Sequence, residues 1–188
     1  MNVLINGLGR IGKAIVYQNI QTKIFNLYQI NDLNLDIDNL IYLLKNDSTY
    51  DHEKYNINKI NKKKLKIQDS DVQFSNKNIN DINLNNIDLI IDSSGAFYDK
   101  KVFDKIKKNK IIYIATNDQN NFKSIVYGVN HKDINLKKNK FYTSSICDVI
   151  SLAPLYSILD KKFKILNGTL TTLHPWLSYQ KILDGKKI

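Results

Sequence analysis

Three glycines and a distant carboxylate are the first residues whose spacing could do chemistry. In "INGLGRIG", Gly7, Gly9 and Gly12 stand in the G-x-G-x-x-G order, after the short apolar run "NVLIN" and before "KAIVYQNI", which has helical potential. Each glycine has a task in such a loop. Gly7 permits the tight turn, Gly9 lets the backbone approach a pyrophosphate, and Gly12 lets helix and strand pack closely. The helix start then offers unpaired N–H groups and the positive end of its dipole to phosphate oxygens. Asp32 lies 20 residues beyond Gly12, at the end of a second apolar run. A carboxylate there accepts the hydroxyls of an adenosine ribose and repels the extra phosphate of NADP, so NAD is favoured. A second chemistry could come from Cys147, the single cysteine, which precedes a segment of helical spacing. A lone cysteine is by default a small buried apolar residue. Taken alone, His174 is a packed or turn residue, His131 reads as structural, and His52 carries no signal.

The elements that must position these residues follow from periodicity. Short apolar runs over 2–6, 24–30, 87–92, 110–115 and 124–129 read as buried strands, and "IDNLIYLLK", "KKVFDKIKK" and "DVISLAPLYSILDKKF" have helical spacing, the last despite Pro154. The polar, lysine-rich stretch 47–80 reads as small strands and loops, and "KILNGTLTTLH" (164–174) as a longer strand. Strands alternating with helices predict an α/β fold with a mainly parallel, doubly wound sheet of Rossmann type.

Several ordered stretches then resemble one family. "INGLGRIGK", "INDL", "LLKNDST", "IDSSGAF", "IVYGVNH", "TSSICDVISLAP" and "TLTTLHPWLSYQKILDG" are similar, in this order, to motifs of the glyceraldehyde-3-phosphate dehydrogenase family. The resemblance implies a Rossmann domain over 1–146 and, over 147–188, the truncated start of an α+β catalytic domain with its active-site helix and first strand. It also implies NAD-dependent oxidation of an aldehyde phosphate, with Cys147 as nucleophile and His174 as its base, 27 residues apart. A thiol at a helix start beside an imidazole can supply thiolate near neutral pH. Asn6, Arg10 and Ile11 match the family's cofactor loop, and Ser94 and Gly95 match residues near the nicotinamide and phosphates. Arg10 reads equally well as a surface charge.

The departures are specific. Asp148 stands where the family has a phosphate-contacting Thr, Ile150 replaces an Asn, and Leu177 replaces a second phosphate-contacting Thr, with Pro175 and Trp176 beside it. A carboxylate next to Cys147 repels phosphate and opposes the helix dipole. The loop with the family's phosphate-binding arginine is expected to be missing, leaving the strand over 164–174 without sheet partners. A homo-oligomer or a second chain is expected to cover that exposed edge. Alternatives to a full dehydrogenase are an NAD-binding remnant with little turnover, or a related enzyme for another aldehyde such as erythrose-4-phosphate with a changed acceptor.

Bulk properties bound these readings. An apolar share of 43% supports a sizeable core, and one cysteine excludes an internal disulfide, as suits a reducing compartment. No basic leader or membrane-length apolar run is seen, so a cytoplasmic protein is expected. The net charge of +10 comes almost wholly from lysines in scattered runs, with Arg10 the single arginine. That pattern reads as solvated surface, with no specific nucleic-acid partner, since arginine base-readers and interleaved aromatics are missing. No metal is called for.

Overall fold

The computed structural model describes residues 1–47, 55–119 and 121–174. His52, residues 48 and 49 of "LLKNDST", and the departures at Pro175, Trp176 and Leu177 lie outside those residues. Among the described residues no helix is long and apolar enough to cross a membrane.

The described strands form one mixed sheet. In chain order they are β1 (Asn2–Asn6), β2 (Asn26–Asn31), β3 (Ile57–Asn61), β4 (Lys64–Ile67), β5 (Ser70–Ser75), β6 (Leu89–Asp92), β7 (Ile112–Ala115), β8 (Lys123–Ser124) and β9 (Phe141–Thr143). Their spatial order is β3-β4-β5-β2-β1-β6-β7-β9-β8. Everything from β5 to β8 is parallel, while β3, β4 and β5 form an antiparallel edge. The α/β, mainly parallel Rossmann-type sheet expected from sequence is therefore the observed fold. Strand order reverses beside β1, which pairs with β2 on one side and β6 on the other. In open α/β sheets such a switch point opens a crevice at the strands' C-terminal ends.

Period-two alternation sorts β1 onto two cores. Val3 and Ile5 face helices α1 (Arg10–Thr22) and α2 (Ile37–Lys45), packing with Val16, Tyr17, Leu40 and Leu44. Leu4 faces the other way, with Ile90 and Tyr113, onto Val102 and Ile106 of α3 (Lys100–Lys108). Two helices are capped by their own sequence. Asp36 accepts from Asn39 N at 2.8 Å and Asp99 from Val102 N at 3.3 Å, each satisfying a first-turn N–H. The first core reaches Leu89 of β6, with Ile91, Ile112 and Ile114 packed partly buried against its margin. There Leu89, Ile112, Ile114, Ile125, Val126 and Ile150 line an apolar recess of about 550 Å³.

Two expectations need correction, and one strand goes unanticipated. The run 124–129 is not a strand: β8 ends at Ser124, where Asn130 turns its side chain back to donate to Ser124 O and accept from Val126 N. Gly128 then adopts φ +85°, which a strand cannot contain. The short strand β9 was not expected at all. The segment 164–174 is irregular rather than a strand, and its apolar side chains face solvent, with Leu166 97% and Leu173 96% exposed. A strand is stabilised by a neighbour's backbone groups, and none of the described strands lies beside this segment. Before it runs α4 (Cys147–Phe163), which forms as expected with Pro154 inside, yet none of its residues is buried.

Candidate functional site: a strand-end cleft and a cysteine–histidine pair

The glycine loop is shaped by close approach at two of its three positions. Gly7 adopts φ +91°, and a Cβ on it would lie 2.5 Å from Ser94 Cα. A Cβ on Gly12 would lie 2.1 Å from Gly7 O and 2.9 Å from Ser93 Oγ. These two glycines therefore let the turns after β1 and β6 and the first turn of α1 pack against one another. Gly9 differs, since among the described residues nothing lies within 4 Å of its Cβ position. It caps α1 without any side-chain hydrogen bond and borders open space.

That open space is a cleft of about 500 Å³ along the C-terminal ends of β1, β2 and β6. The structure brings Asn6, Gly7, Gly9, Asp32 and Ser94 together around it. Asp32 is braced by the loop it serves: its carboxylate accepts from Leu8 N at 2.8 Å and from Asn34 N at 2.9 Å. Gly12 lies behind the cleft as a packing residue. Arg10 and Ile11 start α1 and are exposed, and Gly95 adopts φ +70° in the turn after β6; none of these three lines the cleft.

Sequence reasoning missed several cleft residues. Phe97, 74% exposed, and Leu33 put apolar side chains on its wall, while Asn31, Lys77 and Tyr98 supply polar groups. The available signal was positional, because each lies at the C-terminal end of β2, or in the segment that follows β2, β5 or β6. Beneath the cleft, burial, reinforced by the nearby Asp92 carboxylate, pushes the Tyr98 hydroxyl above the ordinary tyrosine range. The same two causes, in the same order, push Tyr113 up much further.

Neither member of the second constellation lines this cleft. Cys147 is the first residue of α4, exposed, and its Sγ stands 3.4 Å from His174 Nε2. The turn into the helix is held by Thr143, whose hydroxyl donates to Asn117 O at 2.6 Å and accepts from Ser145 N at 3.0 Å. Ser145 is buried at φ +68°, an uncommon conformation for a residue with a side chain. Ile146 offers α4 no side-chain cap, so its first-turn N–H groups around Cys147 are unpaired by capping. Asp148 sits in that same first turn.

The geometry of this cleft is compatible with a dinucleotide. It combines an uncapped helix start, an open position at Gly9, a braced carboxylate at the second strand end and an apolar wall. Residues 1–100 match the family model "Glyceraldehyde 3-phosphate dehydrogenase, NAD binding domain". The chain is 32% identical to a glyceraldehyde-3-phosphate dehydrogenase of Mycoplasma pneumoniae, an alignment covering 98% of this chain and 56% of that protein. It is also 32% identical to one from Helicobacter pylori, over 98% of this chain and 57% of the relative. The chain thus spans just over half the length of the curated relatives it matches. With its first 100 residues matched by the family model, the chain belongs to the glyceraldehyde-3-phosphate dehydrogenase family, and NAD is its cofactor.

Proposed function

We propose that the chain carries the cofactor-binding and nucleophile-bearing part of a dehydrogenase that oxidises an aldehyde phosphate through a cysteine thioester. Residues 1–146 act as the NAD-binding domain and residues 147–188 begin the catalytic one. The observation that supports this most is the 3.4 Å approach of Cys147 Sγ to His174 Nε2 at the uncapped start of a helix. Nucleophile and base within reach of each other form the arrangement that activates a thiol.

When bound, NAD supplies the hydride acceptor. Gly9 and the first-turn N–H groups of α1 hold the pyrophosphate, Asp32 the adenosine ribose, and Leu33 and Phe97 offer apolar faces to a flat base. Asn6 and Ser94, with Gly95 behind them, shape the opposite end, and Arg10 and Ile11 border the loop. The Cys147 sulfur attacks the aldehyde carbon, forming a C–S bond. The Cys147 N–H helps to hold the developing oxyanion. The oxyanion takes a proton from the His174 imidazolium; His174 would take that proton back as the C–H bond breaks, its electron pair leaving as the hydride that bound NAD would accept, and the carbonyl re-forms as a thioester. The thioester is then cleaved by an oxygen nucleophile, which restores the thiolate. In the relatives' pattern that nucleophile is inorganic phosphate. Asp148 works against this anion by like-charge repulsion.

A second reading, an NAD-binding module with little turnover, is supported by α4 having no buried residue and by the exposed segment that carries His174. Under either reading a second copy or a second chain covers that surface. Formation of NADH from glyceraldehyde-3-phosphate, with and without phosphate, tests the first reading. Alkylation by iodoacetamide tests its chemistry. Cys147 is expected to react faster than a free thiol at pH 7, and His174→Ala to slow it. Ordinary thiol reactivity in both proteins, with no NADH formed, would leave the module reading standing.

A further inference from the structure

We infer that Asp92 is a positioning residue for the dinucleotide cleft, because it fixes the direction of a buried side-chain relay that crosses the ends of β5, β2, β1 and β6. The inference rests on the NAD reading of the cleft and deepens it. Asn31, Asn6 and Asp92 are all buried, Asp92 to 2% exposure. Asn31 Oδ1 accepts from Lys77 N at 3.1 Å and from Ser75 Oγ at 2.7 Å. Asn31 Nδ2 donates to Lys77 O at 3.0 Å and to Asn6 Oδ1 at 2.8 Å. Asn6 Nδ2 donates in turn to Asp92 Oδ2 at 3.0 Å and to Tyr98 O–H at 2.9 Å. From the other side, Ser94 N and Ser94 Oγ donate to Asp92 Oδ1 at 3.0 and 2.6 Å. Tyr113 O–H donates to Oδ2 at 2.8 Å from below.

Both ends of the relay are pinned by backbone. The Lys77 N–H and C=O cannot exchange roles, which sets the orientation of the Asn31 amide, and that orientation sets the Asn6 amide. The Ser94 N–H is likewise a donor only. Donation therefore runs inward from both ends, and the residue where the two directions meet must accept on both oxygens. An ionised carboxylate does this; an amide, which has one donor end, cannot. In Asp92→Asn the amide oxygen stays on the Ser94 N–H, so its NH2 faces the NH2 of Asn6. Turning Asn6 to relieve this conflict moves it to Asn31, and turning Asn31 sets its oxygen against Lys77 O and its NH2 against Lys77 N–H. No arrangement satisfies every group. Among the described residues no buried side-chain nitrogen or oxygen currently lacks a partner. The conflict falls on Asn6, Asn31 and Ser94, three of the groups that shape the cleft.

Titration of NAD by calorimetry against three variants tests this. Asp92→Asn is expected to raise the NAD Kd on the order of tenfold, the effect of one mispaired buried group. Asp92→Glu keeps two accepting oxygens and is expected to stay near the original affinity. Tyr113→Phe removes a bond to Asp92 outside the relay, so it is expected to lower Tm while leaving the Kd within about twofold. Unchanged affinity in Asp92→Asn, or loss of affinity in all three variants in proportion to their loss of Tm, would overturn the inference. Absence of NAD binding in the unsubstituted chain would instead remove the reading beneath it. If Asp92→Asn does not fold, the relay is read in the unsubstituted chain from the scalar coupling across the hydrogen bond between Asn6 Nδ2 and Asp92 Cγ. Its absence by NMR would overturn the inference equally.

Discussion

Gly9→Ala and Gly12→Ala differ by three positions in one loop, yet they are expected to fail in opposite ways. At Gly12 the new Cβ lies 2.1 Å from the Gly7 carbonyl oxygen, well over 1 Å inside a ~3.5 Å contact. The obstacle is backbone, so α1 must lift away from β1 and the turn after β6. Overpacking of this kind costs about 1–3 kcal/mol, and an unyielding neighbour puts the cost at the upper end. For a chain of this size each kcal/mol moves Tm by roughly 2–4 °C, so Gly12→Ala should melt about 6–12 °C lower. At Gly9 the Cβ meets open space at φ −73°, which an alanine adopts freely. The slight loss from replacing a glycine cap and the roughly 0.4–1 kcal/mol gained from a less flexible unfolded chain offset each other. Its Tm without ligand should stay within about 2 °C of the original. The Cβ now stands where a pyrophosphate must approach. NAD at about 100 times its Kd adds about 2.7 kcal/mol, or roughly 5–11 °C, to the unsubstituted chain. Gly9→Ala should lose most of that gain. Thermal melts of both variants with and without NAD decide the matter. A Gly12→Ala protein that melts normally, or a Gly9→Ala protein that keeps its full NAD shift, would refute the geometry argued here.

Three further outcomes are expected. Asp32→Ala should reduce the NAD-dependent Tm shift and bring the NAD and NADP affinities closer together by calorimetry, since it removes both a ribose acceptor and the charge that repels a 2′-phosphate. Tyr113→Phe should lower Tm at pH 7 by the loss of a hydrogen bond to a carboxylate, about 1.5–3 kcal/mol, and the gap should narrow in alkali. The Tyr113 pKa is raised in the fold, so its stabilisation is complete below the unfolded value of about 10 and declines as pH rises beyond it, which pH-dependent denaturation will show. Leu166→Lys with Leu173→Lys should leave Tm within about 2 °C, because surface changes cost within ~0.5 kcal/mol, and should reduce self-association in sedimentation experiments. A large fall in Tm would mean these side chains are packed.

Local rules made much of the fold and half of the cleft legible. The glycine spacing, the acid at a strand end and the helical periods of "IDNLIYLLK" and "KKVFDKIKK" act within a few residues of themselves, so the chain can be read for them directly. The antiparallel edge was visible as short alternating pieces. What escaped depended on distant partners. β9 has three residues and exists because β7 and β8 flank it. The run 124–129 has a strand's composition, but the Asn130 side chain supplies a competing set of hydrogen bonds.

By itself the sequence determined that a glycine-rich turn follows the first strand, that Asp32 follows the end of the second, and that Cys147 opens a helix. These are consequences of backbone freedom and periodicity, each settled by neighbours along the chain. The tertiary structure alone decided that Leu33 and Phe97 share a wall, that Asn31, Asn6 and Asp92 form one relay, and that 164–174 is left bare. The physical reason is the same in each case. A contact between residues 25 or 86 positions apart, such as Asn31 with Asn6 or Asn6 with Asp92, depends on which strands become neighbours. Strand order is settled by burial of both sheet faces together, and no short stretch of sequence carries it.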